Sequence, residues 1–242
     1  MKTPEIIFFD IGHTLTYSPE KSRENGFAAL WEHRTGKCGC TFEELLKRAE
    51  KIFHDVDIVA DSFDYDIPFA ASLKLLFDSA GVVLDIPPKD REMVFLNAAR
   101  PAVPMPGAVD MISFLRQNGI RRAVVTNNRF SEGALLRQLT EIFGEGAFEF
   151  VISSADYMVR KPDKRLFEAA LHRAGVSPGA AWHCGDVANA DVMGAHYMDI
   201  FPVLYETNEV DNPFLRFNKG FEADFPFERI CCWEELCKLI KL

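Results

Sequence analysis

Carboxylates, a hydroxyl, an amide and an ammonium stand at the ends of short apolar runs in this chain. Asp10 closes the run Ile6-Ile7-Phe8-Phe9 and is followed by Ile11-Gly12-His13-Thr14. Four apolar residues suit a buried strand and are too few to span a membrane. The Gly-His-Thr that follows breaks the pattern and reads as a turn. In an open α/β sheet, ligands collect outside the carboxyl ends of the strands. An Asp held there can attack an electrophile or bind a cation, although a turn cap would also use one. The pattern recurs downstream. Arg121 to Val125 ends on Thr126-Asn127, and Ala180 to Cys184 ends on Gly185-Asp186. Between them, Arg160-Lys161-Pro162-Asp163 sets a cation just before a helix start. Asp191 follows Asp186 by about a helical turn, where capping is the plainer role.

The ordered set resembles the haloacid dehalogenase superfamily of hydrolases. Its first motif, Asp-x-Asp-x-Thr, is matched by Asp10, Gly12 and Thr14, with Gly12 as the departure. The Ser or Thr of the second motif is matched by Thr126, and the lysine of the third by Lys161 before Pro162. The fourth, Gly-Asp with a later Asp, is matched by Gly185, Asp186 and Asp191. The resemblance implies an α/β fold: a Rossmann-like parallel sheet core with an all-helical cap inserted after the first motif. It implies a core of residues 1–18 and 101–242 and a cap of residues 19–100.

The resemblance also implies the chemistry. Asp10 is the candidate nucleophile, attacking phosphorus or carbon to form a covalent intermediate. An anion attacking a phosphoryl group needs a cation between them. Mg2+ suits this because it takes hard oxygen ligands and keeps positions for substrate oxygens. Asp10, Asp186 and the carbonyl of Gly12 are the implied metal ligands. Thr126, Asn127 and Lys161 are the implied substrate-binding residues, and Lys161 neutralises charge on Asp10 and the transferring group. Asp191 and His13 stand behind these as positioning groups.

Gly12 replaces the Asp that phosphatases of this superfamily use as general acid and base. Such a group is worth roughly 10²–10⁴-fold in rate. His13 next door, or His33 and His54 on the cap, are candidate replacements, or the substrate needs no acid. Four functions follow. The first is a magnesium-dependent phosphatase on a small phosphorylated metabolite. The second is a dehalogenase-like C–X hydrolase, which also lacks that Asp but uses no metal. The third is a phosphonoacetaldehyde hydrolase-like enzyme, needing a Schiff-base lysine such as Lys47 or Lys51. The fourth is a non-catalytic phosphate-binding homologue.

Composition narrows the partners. The 242 residues carry a net charge of −9, which argues against a nucleic-acid partner. The absence of a long apolar segment argues against a membrane, and a strand within about five residues of the start leaves no room for a signal peptide. Cytoplasm is the expected compartment. The oligomeric state is unreadable. The cysteines Cys38, Cys40, Cys184, Cys231, Cys232 and Cys237 read as reduced, mostly buried thiols rather than a disulfide framework.

The elements that would position these residues alternate. From Asn25 to about Arg100 the period is helical, with Phe27, Leu30, Trp31 and Arg34 on one repeat and a capping box at Thr41 to Glu44. Further helices are predicted from Pro68 to Gly81 and from Lys89 to Ala99. From Met105 onward strands and helices alternate, which argues for a parallel, doubly wound sheet. Strands are expected at 123–125, 148–153, 182–184, 201–205 and 229–232. The helices between and after them are expected at 108–117, 133–143, from Pro162 to Gly175, 191–197 and 234–240. Glu206 to Pro226 reads as loop.

Overall fold

The computed structural model describes residues 3–63 and 65–240. Strand β1 (Ile6–Phe9) is followed by a two-residue strand β2 (Thr16–Tyr17) and the insert. The insert holds helix α1 (Arg23–Glu32), strand β3 (Arg34–Thr35), helices α2 (Phe42–Phe63) and α3 (Phe69–Ser79), strand β4 (Val83–Leu84) and helix α4 (Pro88–Ala99). The chain returns through strand β5 (Val103–Pro104), helix α5 (Ala108–Gln117), strand β6 (Arg121–Thr126) and helix α6 (Glu132–Phe143). Strand β7 (Val151–Ser153), helices α7 (Ser154–Tyr157) and α8 (Lys164–Ala174), and strand β8 (Ala181–Gly185) come next. A π-helical turn, Ala188–Met193, leads into α9 (Gly194–His196), strand β9 (Phe201–Tyr205), strand β10 (Glu228–Ile230) and helix α10 (Trp233–Leu239).

Among the described residues the main sheet has six strands in the order β10-β9-β8-β1-β6-β7. Every neighbouring pair in it is parallel. The sheet is covered on both faces, which explains why β1 is apolar at every position rather than at alternate ones. Ile7 and Phe9 pack with Met111, Leu115 and Trp233, while Ile6 and Phe8 pack with Leu166, Phe167 and Ala170. The fold class expected from the sequence is the one observed.

β2 and β5 pair antiparallel, Thr16 with Pro104 and Tyr17 with Val103. The chain therefore leaves for the insert and comes back through adjacent strands. The insert is not separate in its packing. Phe27 meets Phe95 at 5.0 Å, Phe95 meets Phe69 at 4.5 Å, and Phe69 meets Phe130 of the loop before α6 at 4.6 Å. Offset and tilted ring pairs of this kind add roughly 0.5–1.5 kcal/mol each beyond area burial. The Thr41 capping box forms, with Glu44 accepting from the Thr41 N–H at 2.8 Å and the Thr41 hydroxyl accepting from the Glu44 N–H at 3.3 Å.

The insert is helical in its four long elements and carries one strand pair besides. Arg34, read as part of a helical repeat, lies in β3 and pairs with Leu84. The helix stops at Glu32, and Gly36 takes a left-handed φ of 70° that no helix continues through. The strand expected at 148–153 is confined to Val151–Ser153, and α8 begins after Asp163, whose carboxylate caps Arg165 N–H at 2.9 Å. The segment 206–226 folds back as a loop with one 3₁₀ turn, Leu215–Asn218. All six cysteines are free thiols, but only Cys184 is fully buried. Among the described residues no helix is long and apolar enough to cross a membrane.

Candidate active site

The register of β1 decides which side chains meet. Phe9 is level with Val124 on β6 and with Cys184 on β8. Asp10, Thr126 and Asp186 therefore emerge together where the three central strands end. Asp10 N–H still donates to Cys184 C=O at 2.9 Å, so the backbone is held in the sheet while the side chain leaves it. The chain crosses to β6 on one side of β1 and to β8 on the other, the switch point where open α/β sheets bind ligands. A cavity of about 490 Å³ opens there, lined by Asp10, Gly12, Thr126, Lys161, Asp186 and Asp191 among others.

Lys161 enters this edge from the loop before α8. Its Nζ donates to Asp10 Oδ1 at 2.7 Å, to Asp191 Oδ1 at 2.7 Å and to Val125 C=O at 2.8 Å. An ammonium has three N–H bonds, and all are used. Burial alone would depress the Lys161 pKa, but Asp10 and Asp191 outweigh it and hold the amine charged. The Asn127 amide clamps the lysine backbone at both ends: Oδ1 accepts from Lys161 N–H at 2.7 Å, and Nδ2 donates to Lys161 C=O at 3.0 Å. One N–H of the amide remains, and Asn127 lines the cavity. Asn127, expected to bind substrate, positions Lys161 as well.

Asp191 does more than cap. One carboxylate oxygen takes Lys161 and lies 2.9 Å from His183 Nε2, and the other accepts Val187 N–H at 2.9 Å. Burial would raise its pKa, but Lys161 and His183 lower it below the ordinary carboxylate range. His183 was not singled out by sequence, since it sits inside a strand. It is fully buried, and burial lowers its pKa, so the imidazole is neutral at pH 7 with the proton assigned to the nitrogen facing Asp191.

Asp186 faces the cluster from β8. Its Oδ2 accepts from Asn212 Nδ2 at 2.7 Å and its Oδ1 from the Thr14 hydroxyl at 3.4 Å. Asn218 Nδ2 donates to Asp186 C=O at 2.7 Å, and Asn218 Oδ1 accepts from Ala188 N–H at 2.8 Å. Asn212 and Asn218 lie in the segment that reads as featureless loop. Nothing in a lone Asn of such a loop points back to a site.

Three buried carboxylates thus stand near one ammonium, which bonds two of them, Asp10 and Asp191. Burial raises Asp10 against the pull of Lys161, and the Thr126 hydroxyl hydrogen-bonds it. Burial and the charges of Asp10 and Asp191 push Asp186 up to about 8. Anionic oxygens in such excess form a hard-oxygen donor set suited to a divalent cation, with the Gly12 carbonyl lining the same cavity.

His13 has φ 54° and is buried, and its ring packs edge-on to Phe214 at 5.8 Å. Burial lowers its pKa, so it is a poor proton source at neutral pH. Its turn, rather than Gly12, holds the left-handed backbone. The cap candidates are elsewhere: His33, His54, Lys47 and Lys51 are exposed, and none lines this cavity.

A haloacid dehalogenase-like hydrolase family model matches residues 4–199, most of the chain. The chain belongs to the haloacid dehalogenase-like hydrolases. It is 30% identical over 196 residues to a glyceraldehyde 3-phosphate phosphatase of Methanothermobacter thermautotrophicus, covering 79% of this chain and 80% of that protein. It is 32% identical over 137 residues to a pyrimidine 5'-nucleotidase of Escherichia coli, covering 54% of this chain and 59% of the nucleotidase. The chain spans only 40–59% of the length of that nucleotidase and of the mouse and bovine family members it also matches. Among solved structures, a 2-haloacid dehalogenase from Pseudomonas syringae superposes with TM-score 0.63 at 20% identity, covering 99% of this chain and 98% of the other. A HAD phosphatase from Thermococcus onnurineus superposes with TM-score 0.59 at 20% identity, covering 99% and 97%. These likenesses establish the fold.

Gly185 gives a test of the Lys161 arrangement. A Cβ built there falls on the Asp191 carboxylate. Gly185→Ala adds no polar group and removes none, yet it must displace Asp191 and so loosen Lys161. The expected result is a stability loss of about 1–3 kcal/mol in denaturant unfolding, the usual range for overpacking. The same variant is expected to lose at least roughly tenfold in any hydrolytic kcat. Unchanged stability and turnover would show that Asp191 does not hold Lys161.

Proposed function

We propose that this chain is a magnesium-dependent phosphatase that acts on a small phosphorylated metabolite through a phosphorylated Asp10. One observation carries the reading: Lys161 is bonded to Asp10 at the edge where the second carboxylate, Asp186, faces the same cavity. A dehalogenase working without metal would have no use for a second buried carboxylate with a raised pKa. Gly12 is the feature that speaks for that alternative. The core in this reading is 1–18 with 101–242, and the cap is 19–100.

Asp10, Asp186 and the Gly12 carbonyl would hold Mg2+, which supplies positive charge where anionic nucleophile and phosphoryl group meet. An Asp10 oxygen forms a bond to phosphorus while the bond to the leaving oxygen breaks and that oxygen keeps the electron pair. Water then attacks phosphorus, inorganic phosphate departs and the Asp10 carboxylate is restored. Thr126 offers its hydroxyl to a phosphoryl oxygen. Lys161 acts by charge, because its three N–H bonds are already committed. Asn127 and Asp191 keep it in place.

The direct test is phosphate release from p-nitrophenyl phosphate and acetyl phosphate. Activity is expected to require Mg2+, to vanish in EDTA and to fall at least roughly 10³-fold in Asp10→Asn, the scale seen for essential groups. Turnover that survives chelation, with halide released from a 2-haloacid, would favour the dehalogenase reading.

Asp186 sets a pH dependence. Its folded pKa of about 8 lies above the ordinary value of 3.8, so the metal-free folded state holds a proton that the unfolded state has lost. That contribution to stability is present at low pH and disappears as pH rises toward 8. In EDTA, Tm is therefore expected to fall between pH 5 and pH 8. Mg2+ replaces the proton, so its increment in Tm is expected to grow over the same interval. An increment independent of pH would remove Asp186 from the metal site.

Gly12 sets the leaving-group preference. An alkoxide expelled without a proton is far more basic than a phenolate or carboxylate, so alkyl phosphates are expected to turn over slowly. A Cβ on Gly12 meets no heavy atom within 4 Å, and the backbone there is outside the left-handed region. Gly12→Asp is expected to fold normally and to raise turnover of alkyl phosphates up to roughly 10²-fold. A wild-type rate that ignores the leaving group would mean that another acid is in place.

A further inference from the structure

A second cavity, of about 190 Å³, adjoins the catalytic one, and Arg100 lines both. Arg100 caps the C-terminus of α4, where the insert turns back to the core. Its charged neighbours are Arg23 and Arg129, both cations. Among the described residues no carboxylate pairs with it. The nearby carboxylates are taken: Asp57 pairs with Arg129 at 2.6 Å and Arg23 at 3.6 Å, and Asp66, which lines this cavity beside the three arginines, pairs with Arg160 at 3.7 Å and accepts from the Ser154 hydroxyl. Arg100 is exposed to solvent and lines both cavities, and partial burial and the two arginines lower its pKa. A guanidinium crowded by cations and left without an anion is electrostatically unfavourable, and the chain as a whole has net charge −9. Cations gathered at one cavity of an acidic protein mark the place where an anion enters.

The catalytic end already has its own cation. Lys161 faces Asp10, so Arg100 is not needed for the transferring group. Phe53, Phe69, Phe95 and Phe130 form the apolar wall of the side cavity and leave room for a short carbon skeleton.

We propose that Arg100 binds a second oxyanion of the substrate, so that the preferred substrates are short phosphorylated compounds bearing a carboxylate or a further phosphate. This rests on the phosphatase reading. Arg100 is a specificity residue here, and its planar fork matches either oxyanion with two parallel hydrogen bonds.

The test uses binding, so that it does not depend on turnover. Calorimetry with Mg2+ present compares phosphonoacetate, methylenediphosphonate and ethylphosphonate, which share a phosphonate head and differ in the tail. Wild-type protein is expected to bind one or both doubly anionic probes at least about tenfold more tightly than ethylphosphonate, the scale of a charged hydrogen bond. Which of the two is preferred tells carboxylate from phosphate. Arg100→Ala is expected to bring that ratio near one, and Arg100→Lys to leave it intermediate. Arg100→Gln repeats the test with a side chain of similar reach, should the alanine variant unfold. A wild-type ratio near one, or a ratio that Arg100→Ala leaves intact, overturns the proposal. If the ratio depends on Arg100 while no phosphate ester is hydrolysed, the phosphatase reading fails and the oxyanion site stands. If esters are hydrolysed without the ratio, the reverse holds.

Discussion

A buried ammonium shared among buried carboxylates is the interaction on which the rest of this structure depends. Lys161 is nearly inaccessible, and such a charge persists inside a protein only when paired and hydrogen-bonded. Asp10, Asp191 and the Val125 carbonyl meet that demand with one bond each. Much of the local architecture serves this contact. Asn127 grips the lysine backbone, His183 and the Val187 amide brace Asp191, and Gly185 lacks the atom that would collide with it. The arrangement leaves Asp186 without a cation of its own. That imbalance is costly for a resting structure and useful for one that must take up positive charge.

The departure at Gly12 changes less of the geometry than of the chemistry. Its side chain is missing in a place with open space, and the left-handed strain of the turn falls on the neighbouring His13. Packed against Phe214 and depressed in pKa, His13 is shaped for the turn rather than for proton transfer. In the proposed reading the site would hold a nucleophile, a cation and a phosphoryl group while offering weak protonation of the leaving oxygen. In that reading substrate choice falls to leaving-group basicity at one end and to the cap at the other.

The cap meets the core through a continuous aromatic seam from Phe27 to Phe130, and the cationic side cavity opens beside it. Arg129 ties the two together, since it bonds Asp57 and the Ile67 carbonyl of the insert while belonging to the loop after β6. Apolar packing joins the cap to the core, and charged side chains line the space they leave.

Asp10, Thr126, Lys161 and Asp186 can be singled out in the sequence because each follows a strand or precedes a helix, whereas Asp191, inside the π-helical turn, stands out only by its spacing from Gly185-Asp186. Period and punctuation report local geometry, so strand ends can be read without knowing their neighbours. The parallel sheet and the helical insert were legible for the same reason. The strand pair of Arg34–Thr35 with Val83–Leu84 was not, because two-residue strands carry no period and their partner lies about fifty residues away. Nor were His183, Asn212 and Asn218. A histidine inside a strand and asparagines in a polar loop look like any others until folding brings them against Asp191 and Asp186. The sequence could list Asn127 near the substrate, but only the fold could commit its amide to Lys161. Sequence alone determined which residues stand near the ends of the long elements. Register, burial and the return of distant loops decided which of them meet and what charge they carry, because those depend on contacts across the chain rather than along it.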